Sequence, residues 1–402
     1  MDNLKSKLYP IVGEIAIGYG ALSILFSWLS LNIKSLQFLG LFVFPYFSDP
    51  TGLTTLNAQS GLSLNPLNIF FFLLMIVGGL LYRRTNKLDA RLLQFSFSIL
   101  FFKGCLLLFW VPINHFHFIK LLNQHNVNFS GSVPTAWSFI WPVLFALPIA
   151  YFAYHFTKWL ITDQNILITE KNKEGEIIES AAVASKSKRF WQYTFDLLLM
   201  LLILTPLFTK LAALLSTSAL INTFSLMEVS QLLLTAIIFT IQIFYYIFFE
   251  GFFQATPVKF LTGTRVVHSE TLEKPRFSQI AGRSLARHIP FDAFSFLGTT
   301  GWHDSASNTS VVEENTQGHS RKYHGWWGVL FIGVFIGSFA YAKIRREIHR
   351  KRNHSFHIRV DSDIHKANLA SLNTGDIILS RKTKEYYQDA NRYFRINAID
   401  GK

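Results

Sequence analysis

Seven long apolar segments constrain the fold of this chain more than any other feature. A helix needs about 20 apolar residues to cross the hydrocarbon core of a bilayer, and most of these segments reach that length. Polar stretches separate them, as loops separate the spans of a helical membrane protein. The pattern predicts an all-α, polytopic membrane protein with about seven transmembrane helices. The predicted spans are 11–31, 67–82, 92–113, 136–161, 190–209, 229–249 and 326–343.

Composition supports the same class of protein. Half of the 402 residues are apolar and only 16% are charged, whereas soluble domains carry about a quarter charged residues. We interpret the net charge of +13 as loops that face anionic lipid headgroups, not as a nucleic-acid surface. Cys105 is the only cysteine, which excludes an intrachain disulfide and a cysteine-based metal site. We expect no cofactor and no metal, and the sequence does not predict the oligomeric state.

The distribution of lysine and arginine predicts the orientation. Basic residues concentrate at the N-terminus, in the loop after residue 82, in the linker 162–188 and in 251–325. All four regions fall on one side of the membrane, which predicts a cytoplasmic N-terminus in a bacterial-type inner (plasma) membrane. The basic stretch that begins at Lys343 conflicts with this pattern, because seven spans place it outside. The side that holds the polar tail 344–402 stays open.

The polar segments predict small secondary elements. Two short β-branched runs around a charged turn predict a cytoplasmic β-hairpin over 165–180. Residues 262–278 have a similar pattern of strand, turn and re-entry, and 309–312 is a candidate strand. The charged stretch 283–300 predicts an amphipathic interfacial helix with Ser278 as its N-cap. The short apolar run 35–47 predicts a re-entrant or interfacial segment.

Ionisable residues inside the predicted spans are the strongest functional signal, because each costs at least ~2.5–3.5 kcal/mol to insert. Lys103 lies near the middle of the third span, and Glu250 closes the sixth. Lys103 either lines an ion or anion path, forms a structural pair with a carboxylate, or is neutralised by burial. A carboxylate at a helix C-terminus opposes the helix dipole, so Glu250 predicts a cationic partner. Arg283 and Arg287, spaced i,i+4, suit it, although they also suit lipid phosphate.

Arg189 and Asp196 share one face of the fifth span. Their Cα atoms are about 10 Å apart along a helix axis, so we expect each to meet a partner on another element. Asp196 binds either a proton or small cation, or a basic residue in a structural ion pair. WHD at 302–304 contains a His-Asp pair without a third group at supporting spacing, so we expect no enzymatic activity.

The order of these residues resembles the RDD family, which is named for one arginine and two aspartates. Arg189 and Asp196 in RFWQYTFD match the first two positions, and EGFFQATPVKFLTGTRVV from Glu250 is similar to the family's next segment. WHDSASNTSVV resembles the closing motif, which places the second aspartate at Asp304. The resemblance covers about 189–313. It implies an integral membrane domain of unknown molecular function, for which transport is sometimes proposed.

Two functions follow as expectations. The first is transport of a small ion or solute, such as cation/proton exchange. The residues that would line or gate its path are Lys103, Asp196, Glu250, Arg283 and Arg287. The second is a non-transporting membrane scaffold or accessory protein with a structural ion network. The candidate residues are Lys103, Arg189, Asp196, Glu250, Arg283, Arg287 and Asp304. The predicted regions are 1–161 with four spans, the linker 162–188, the RDD domain 189–325, the last span 326–343 and the tail 344–402.

Overall fold

The computed structural model describes residues 2–33, 66–125, 136–162, 168–171, 177–216, 227–289 and 301–314, with a few isolated positions besides. These long stretches belong to the first of two compact units, Met1–Ser338. The last predicted span, 326–343, and the apolar run 35–47 lie almost wholly outside the described residues, and the tail 344–402 lies wholly outside them.

The described part of the chain is mostly helical, and six long helices cover the first six predicted spans. The helices are α1 Asp2–Leu8, a short 3-10 turn Tyr9–Ile11, α2 Val12–Asn32, α3 Pro66–Arg84, α4 Arg91–His125, α5 Ala136–Thr162, α6 Lys186–Ser216, α7 Met227–Phe253, α8 Pro257–Thr262, α9 Phe277–Ala286 and α10 Trp302–Ser307.

Two described helical stretches are long and apolar enough to cross a membrane. They are Leu4–Leu29, near the N-terminus, and Arg91–Leu108, which other helices largely bury. The apolar part of α7, Ile238–Phe253, is shorter. By length and composition, the described residues therefore contain two candidate spans, fewer than the sequence predicts.

Small residues and aromatic rings set the packing of the helices. A Cβ atom on Gly79 of α3 would lie 2.6 Å from the carbonyl oxygen of Gly13 on α2, so these backbones approach closely, as small residues allow in membrane helices. Gly104 of α4 contacts Ala150 of α5 in the same way. On its other side α4 meets α7, where the ring of Phe102 packs 5.0–6.0 Å from three aromatic rings. Helix α4 thus joins the N-terminal helices to α7.

Two small antiparallel sheets complete the described structure. Strand β1 (Ile168–Lys171) pairs with β2 (Ile177–Ser180), within the region where the sequence predicts a hairpin. Strand β3 (Thr264–His268) forms inside 262–278, but its partner is the distant β4 (Thr309–Glu313). The buried face explains this pairing, because Val266 and Val311 are opposite each other and both are 1% exposed or less.

Helix α9 begins and ends earlier than the sequence predicts. It starts at Phe277 with Arg276 at the N-cap position, so the prediction of Ser278 as N-cap is wrong. The backbone N–H of Arg276 donates to Oε1 of Gln279 at 2.9 Å, and this bond fixes the N-cap two residues before Ser278. The helix ends at Ala286, and residues 290–300 lie outside the described structure.

Candidate functional site

The segment that follows α7 brings the ionisable side chains together. After Phe253 the chain turns at Gln254, whose φ is 60°. Thr256 then caps α8, with Pro257 in the first turn, and Gly263 ends the helix at φ 62°. Thr and Pro favour a helix start and a left-handed glycine favours its end, so the sequence confines α8 to six residues. This short helix places Lys259 beside Glu250 at the end of α7.

Glu250 is fully buried and is surrounded by three cations. Lys259 Nζ donates to its Oε1 atom, and Arg287 Nη2 donates to the same oxygen at 2.7 Å. Arg283 Nε lies 3.3 Å from Oε2. Because the carboxylate lies at a helix C-terminus, it needs this compensation. The structure thus places the two arginines predicted to suit Glu250 against it.

Asp304, on α10, is the second buried anion of the network. Arg189 from α6 and Arg283 from α9 both form ion pairs with its carboxylate. Arg283 Nη1 also donates to Thr309 Oγ1 at 2.8 Å, and His303 Nε2 lies 3.5 Å from Asp304 Oδ1. A continuous chain of charges therefore runs from Arg189 through Asp304 and Arg283 to Glu250, and it joins α6, α10, α9 and α7.

Asp196 has a different environment. Its side chain is 1% exposed, and it accepts hydrogen bonds from the hydroxyls of Tyr245 at 3.2 Å and Thr256 at 2.5 Å. The backbone N–H of Val258 lies 3.4 Å from Oδ1. Among the described residues no cation lies within ion-pair distance of this carboxylate. Its neutral donors distinguish Asp196 from Glu250 and Asp304.

Lys103 lies apart from these contacts. It is 4% exposed on α4, next to Phe101 and Phe102, whose rings pack against α7. The ion pairs described for Glu250 and Asp304 do not include it. The structure therefore brings six of the seven candidate residues to the α6–α10 region and leaves Lys103 in the apolar core beside it.

Sequence analysis did not identify Lys259 as a site residue. Burial lowers the pKa of Lys259 to about 8, although the carboxylate of Glu250 acts in the opposite direction. Burial also disfavours the charged form of Arg287, but Glu250 raises the pKa of this guanidinium above its ordinary value. The Thr256-Pro257 cap, which predicts a helix start just after Glu250, is the sequence signal that could have placed Lys259 near this carboxylate.

A second buried ion pair connects this region to the N-terminal helices. Arg265 on β3 donates to Glu314 Oε1 at 2.8 Å and to the carbonyl oxygen of Ile161, at the end of α5, at 3.0 Å. The guanidinium of Arg91, the first residue of α4, lies over Gly263. Sequence analysis did not identify these contacts, because they depend on how distant segments pack.

Comparison with known proteins identifies the region that carries the site. Residues 183–357 match the sequence profile of the RDD family. The chain therefore contains an RDD-family region. The match includes α6 to α10 and the β3–β4 sheet, and this RDD family is membrane-associated. No curated protein and no solved structure matches the chain.

The described residues contain no group of three His, Cys, Asp or Glu side chains that could hold a metal ion. Chemically, the arrangement offers two things. One is a set of buried ion pairs that joins α6, α7, α9 and α10. The other is a buried carboxylate, Asp196, that is held by neutral donors.

Proposed function

We propose that this RDD-family protein is an integral membrane protein that exchanges protons or small cations, with Asp196 as the binding carboxylate. The single observation that carries the proposal is the environment of Asp196. A buried carboxylate that is held by hydroxyl and amide donors can gain or lose a proton without breaking an ion pair. Carboxylates of this kind inside membrane helices are typical of ion and proton pathways.

Glu250 and Asp304 have a structural part in this proposal. Removing one partner of a buried ion pair leaves an uncompensated charge, and Arg283 is shared by both carboxylates. We therefore assign Arg189, Arg283, Arg287, Glu250 and Asp304 to the network that holds the domain together. Lys103 stays a candidate for the path, because its buried charge lies on the helix that packs against α7.

The proposed topology follows from the sequence. We propose seven transmembrane helices in a bacterial-type inner membrane, with a cytoplasmic N-terminus and basic loops that contact anionic lipid headgroups. In this topology the Glu250 network lies at the cytoplasmic side and Asp196 lies deeper in the bilayer. We propose no enzymatic activity and no nucleic-acid partner.

A non-transporting scaffold is the second candidate function. The chain of ion pairs from Arg189 to Glu250 favours it, because such a network needs no transported ion to explain it. In this alternative Asp196 is a structural residue that fixes Tyr245 and Thr256 around the start of α8.

Transport measured in liposomes separates the two candidates. The full-length protein is reconstituted, and internal pH is followed after pulses of Na⁺, K⁺ or Li⁺. We expect the wild type to change internal pH and Asp196→Asn to lose that change while its thermal unfolding midpoint stays close to that of the wild type. Asparagine keeps a hydrogen-bond acceptor for the two hydroxyls but cannot carry the charge.

Glu313→Gln is the matched control. It also changes a carboxylate to an amide in the same domain, at a partly exposed pair with Lys188, and we expect it to keep wild-type exchange. If the wild type is silent with all three cations and Asp196→Asn lowers the unfolding midpoint, the scaffold explains the site and transport does not.

A further inference from the structure

Lys259 connects the two buried carboxylates that the proposed function treats separately. Its ammonium donates to Glu250. Its backbone N–H lies 3.4 Å from Thr256 Oγ1, and that hydroxyl donates to Asp196. The ammonium of Lys259 and the guanidinium of Arg287 both attract the Asp196 carboxylate electrostatically. Lys259 is 4% exposed, so water screens this interaction little.

The charged groups that face Lys259 come from three helices. They are Glu250 from α7, Arg283 and Arg287 from α9, and Asp196 from α6. On α4, which also packs along α8, the guanidinium of Arg91 lies over Gly263, after the end of α8. Arginine does not lose its proton in proteins. Of the three cations on Glu250, Lys259 is therefore the one that can become neutral.

We propose that Lys259 is the exchangeable counter-charge of Asp196. The amine carries its proton while Asp196 is ionised and empty, and it releases that proton when Asp196 takes up a proton or a small cation. One N–H bond of the ammonium breaks, and the proton passes to water at the cytoplasmic side. The neutral amine still donates to Glu250, which Arg283 and Arg287 continue to compensate. This inference rests on the proposed function of Asp196.

Charge balance is the physical reason for this coupling. The cluster holds the carboxylates of Asp196, Glu250 and Asp304 and four cationic side chains, so it carries one excess positive charge. Uptake of a cation at Asp196 would add a second excess charge to a buried site, which is costly. Release of one proton from Lys259 restores the original balance. The pKa of Lys259, which burial lowers to about 8, makes this release accessible near neutral pH.

The thermal stability of the purified full-length protein as a function of pH tests the coupling without transport. Because the pKa of Lys259 is lower in the folded protein than the ordinary value of 10.5, the unfolded chain binds more protons between the two values. Stability therefore rises with pH across that window. Lys259→Arg keeps its charge at all these pH values, so the difference between wild type and Lys259→Arg isolates the contribution of Lys259.

The decisive comparison repeats this measurement in an Asp196→Asn background. Without the negative charge of Asp196, the pKa of Lys259 is lower. The thermal stability is therefore expected to begin to rise at a lower pH than in the wild type. An onset at the same pH in both backgrounds overturns the proposal. If Asp196→Asn does not fold, Tyr245→Phe replaces it. Loss of its hydroxyl favours protonated Asp196, so it moves the onset in the same direction by a smaller amount.

One control variant and the liposome assay keep the outcomes distinct. Lys188→Arg makes the same substitution at a lysine whose side chain is 30% exposed, and we expect it to leave the pH dependence unchanged. If the pH at which stability begins to rise is shifted but the liposomes show no change of internal pH, the proposed transport is contradicted and the coupling stands. Exchange in liposomes without a shifted onset overturns the coupling and leaves transport standing.

Discussion

At the scale of single residues, Arg283 joins the two buried carboxylates of the described network. Its guanidinium meets Glu250, Asp304 and Thr309, and it is 1% exposed. A guanidinium has five N–H donors in a planar fork, so one side chain can serve several acceptors at once. A lysine at this position would offer one ammonium to acceptors that lie in different directions.

Removal of Arg283 should therefore destabilise the protein strongly. We expect Arg283→Met to lower the free energy of unfolding by about 3–5 kcal/mol, because Glu250 and Asp304 each lose a buried partner. Chemical denaturation in detergent measures the change. The matched control is Lys188→Met, which breaks a partly exposed pair with Glu313 and should cost less than about 1 kcal/mol. Equal effects of the two variants would contradict the structural role of the network.

The residue scale also shows how far sequence reasoning reaches. The two-turn spacing of Arg189 and Asp196 predicts that they do not bond each other, and each does meet groups on other elements. The identity of those groups could not be predicted. Asp304 reaches Arg189 because α10 packs beside α6 and α9, and Thr256 reaches Asp196 because the chain turns back after α7.

At the scale of secondary elements, α8 controls the geometry of the site. Its start positions Thr256 on Asp196, its middle positions Lys259 on Glu250, and its end at Gly263 turns the chain into β3. A Cβ atom on Gly263 would lie 2.7 Å from the guanidinium carbon of Arg91, and its φ is 62°. Both the backbone conformation and the close approach of Arg91 require glycine here.

Gly263→Ala tests this requirement. We expect the free energy of unfolding to fall by at least ~1–2 kcal/mol, because a left-handed conformation costs that much for a residue with a Cβ atom. Gly282→Ala is the control, since this glycine lies inside α9 with open space around it. Alanine should stabilise that helix by ~0.5–1 kcal/mol. A neutral Gly263→Ala variant would show that α8 and Arg91 do not constrain each other.

Elements also differ in how well a single sequence predicts them. The long helices follow from continuous apolar runs, and their described bounds lie within a few residues of the predicted ones for most of them. The partner of β3 could not be predicted, because strand pairing depends on packing between distant segments. The start of α9 was missed by two residues, since Arg276 replaces the expected Ser278 as N-cap.

At the scale of the whole molecule, the N-terminal helices pack against the RDD domain. Helix α4 contacts α7 through Phe102 and contacts the end of α8 through Arg91, and Arg265 bonds the last turn of α5. The predicted boundary at 161–189 stays a prediction. These contacts show that α4 and α5 pack against the elements that form the site.

The topology of the whole chain is tested by cysteine labelling. In a Cys105→Ser background, a single cysteine near residue 350 is exposed to an impermeant thiol reagent outside spheroplasts. Seven spans with a cytoplasmic N-terminus predict labelling from outside. A cysteine near residue 87, in the basic loop between α3 and α4, should be protected in the same cells. Protection of both positions would contradict the count of seven spans.

Difference infrared spectroscopy of the purified protein tests most directly that Asp196 is the exchanging carboxylate. At a pH where Asp196 carries a proton, we expect a band from a protonated carboxylic acid that disappears when Na⁺, K⁺ or Li⁺ is added. The band should be missing in Asp196→Asn and present in Glu313→Gln. A cation-sensitive band that persists in Asp196→Asn, or a wild type with no such band for any of the three cations, would contradict it.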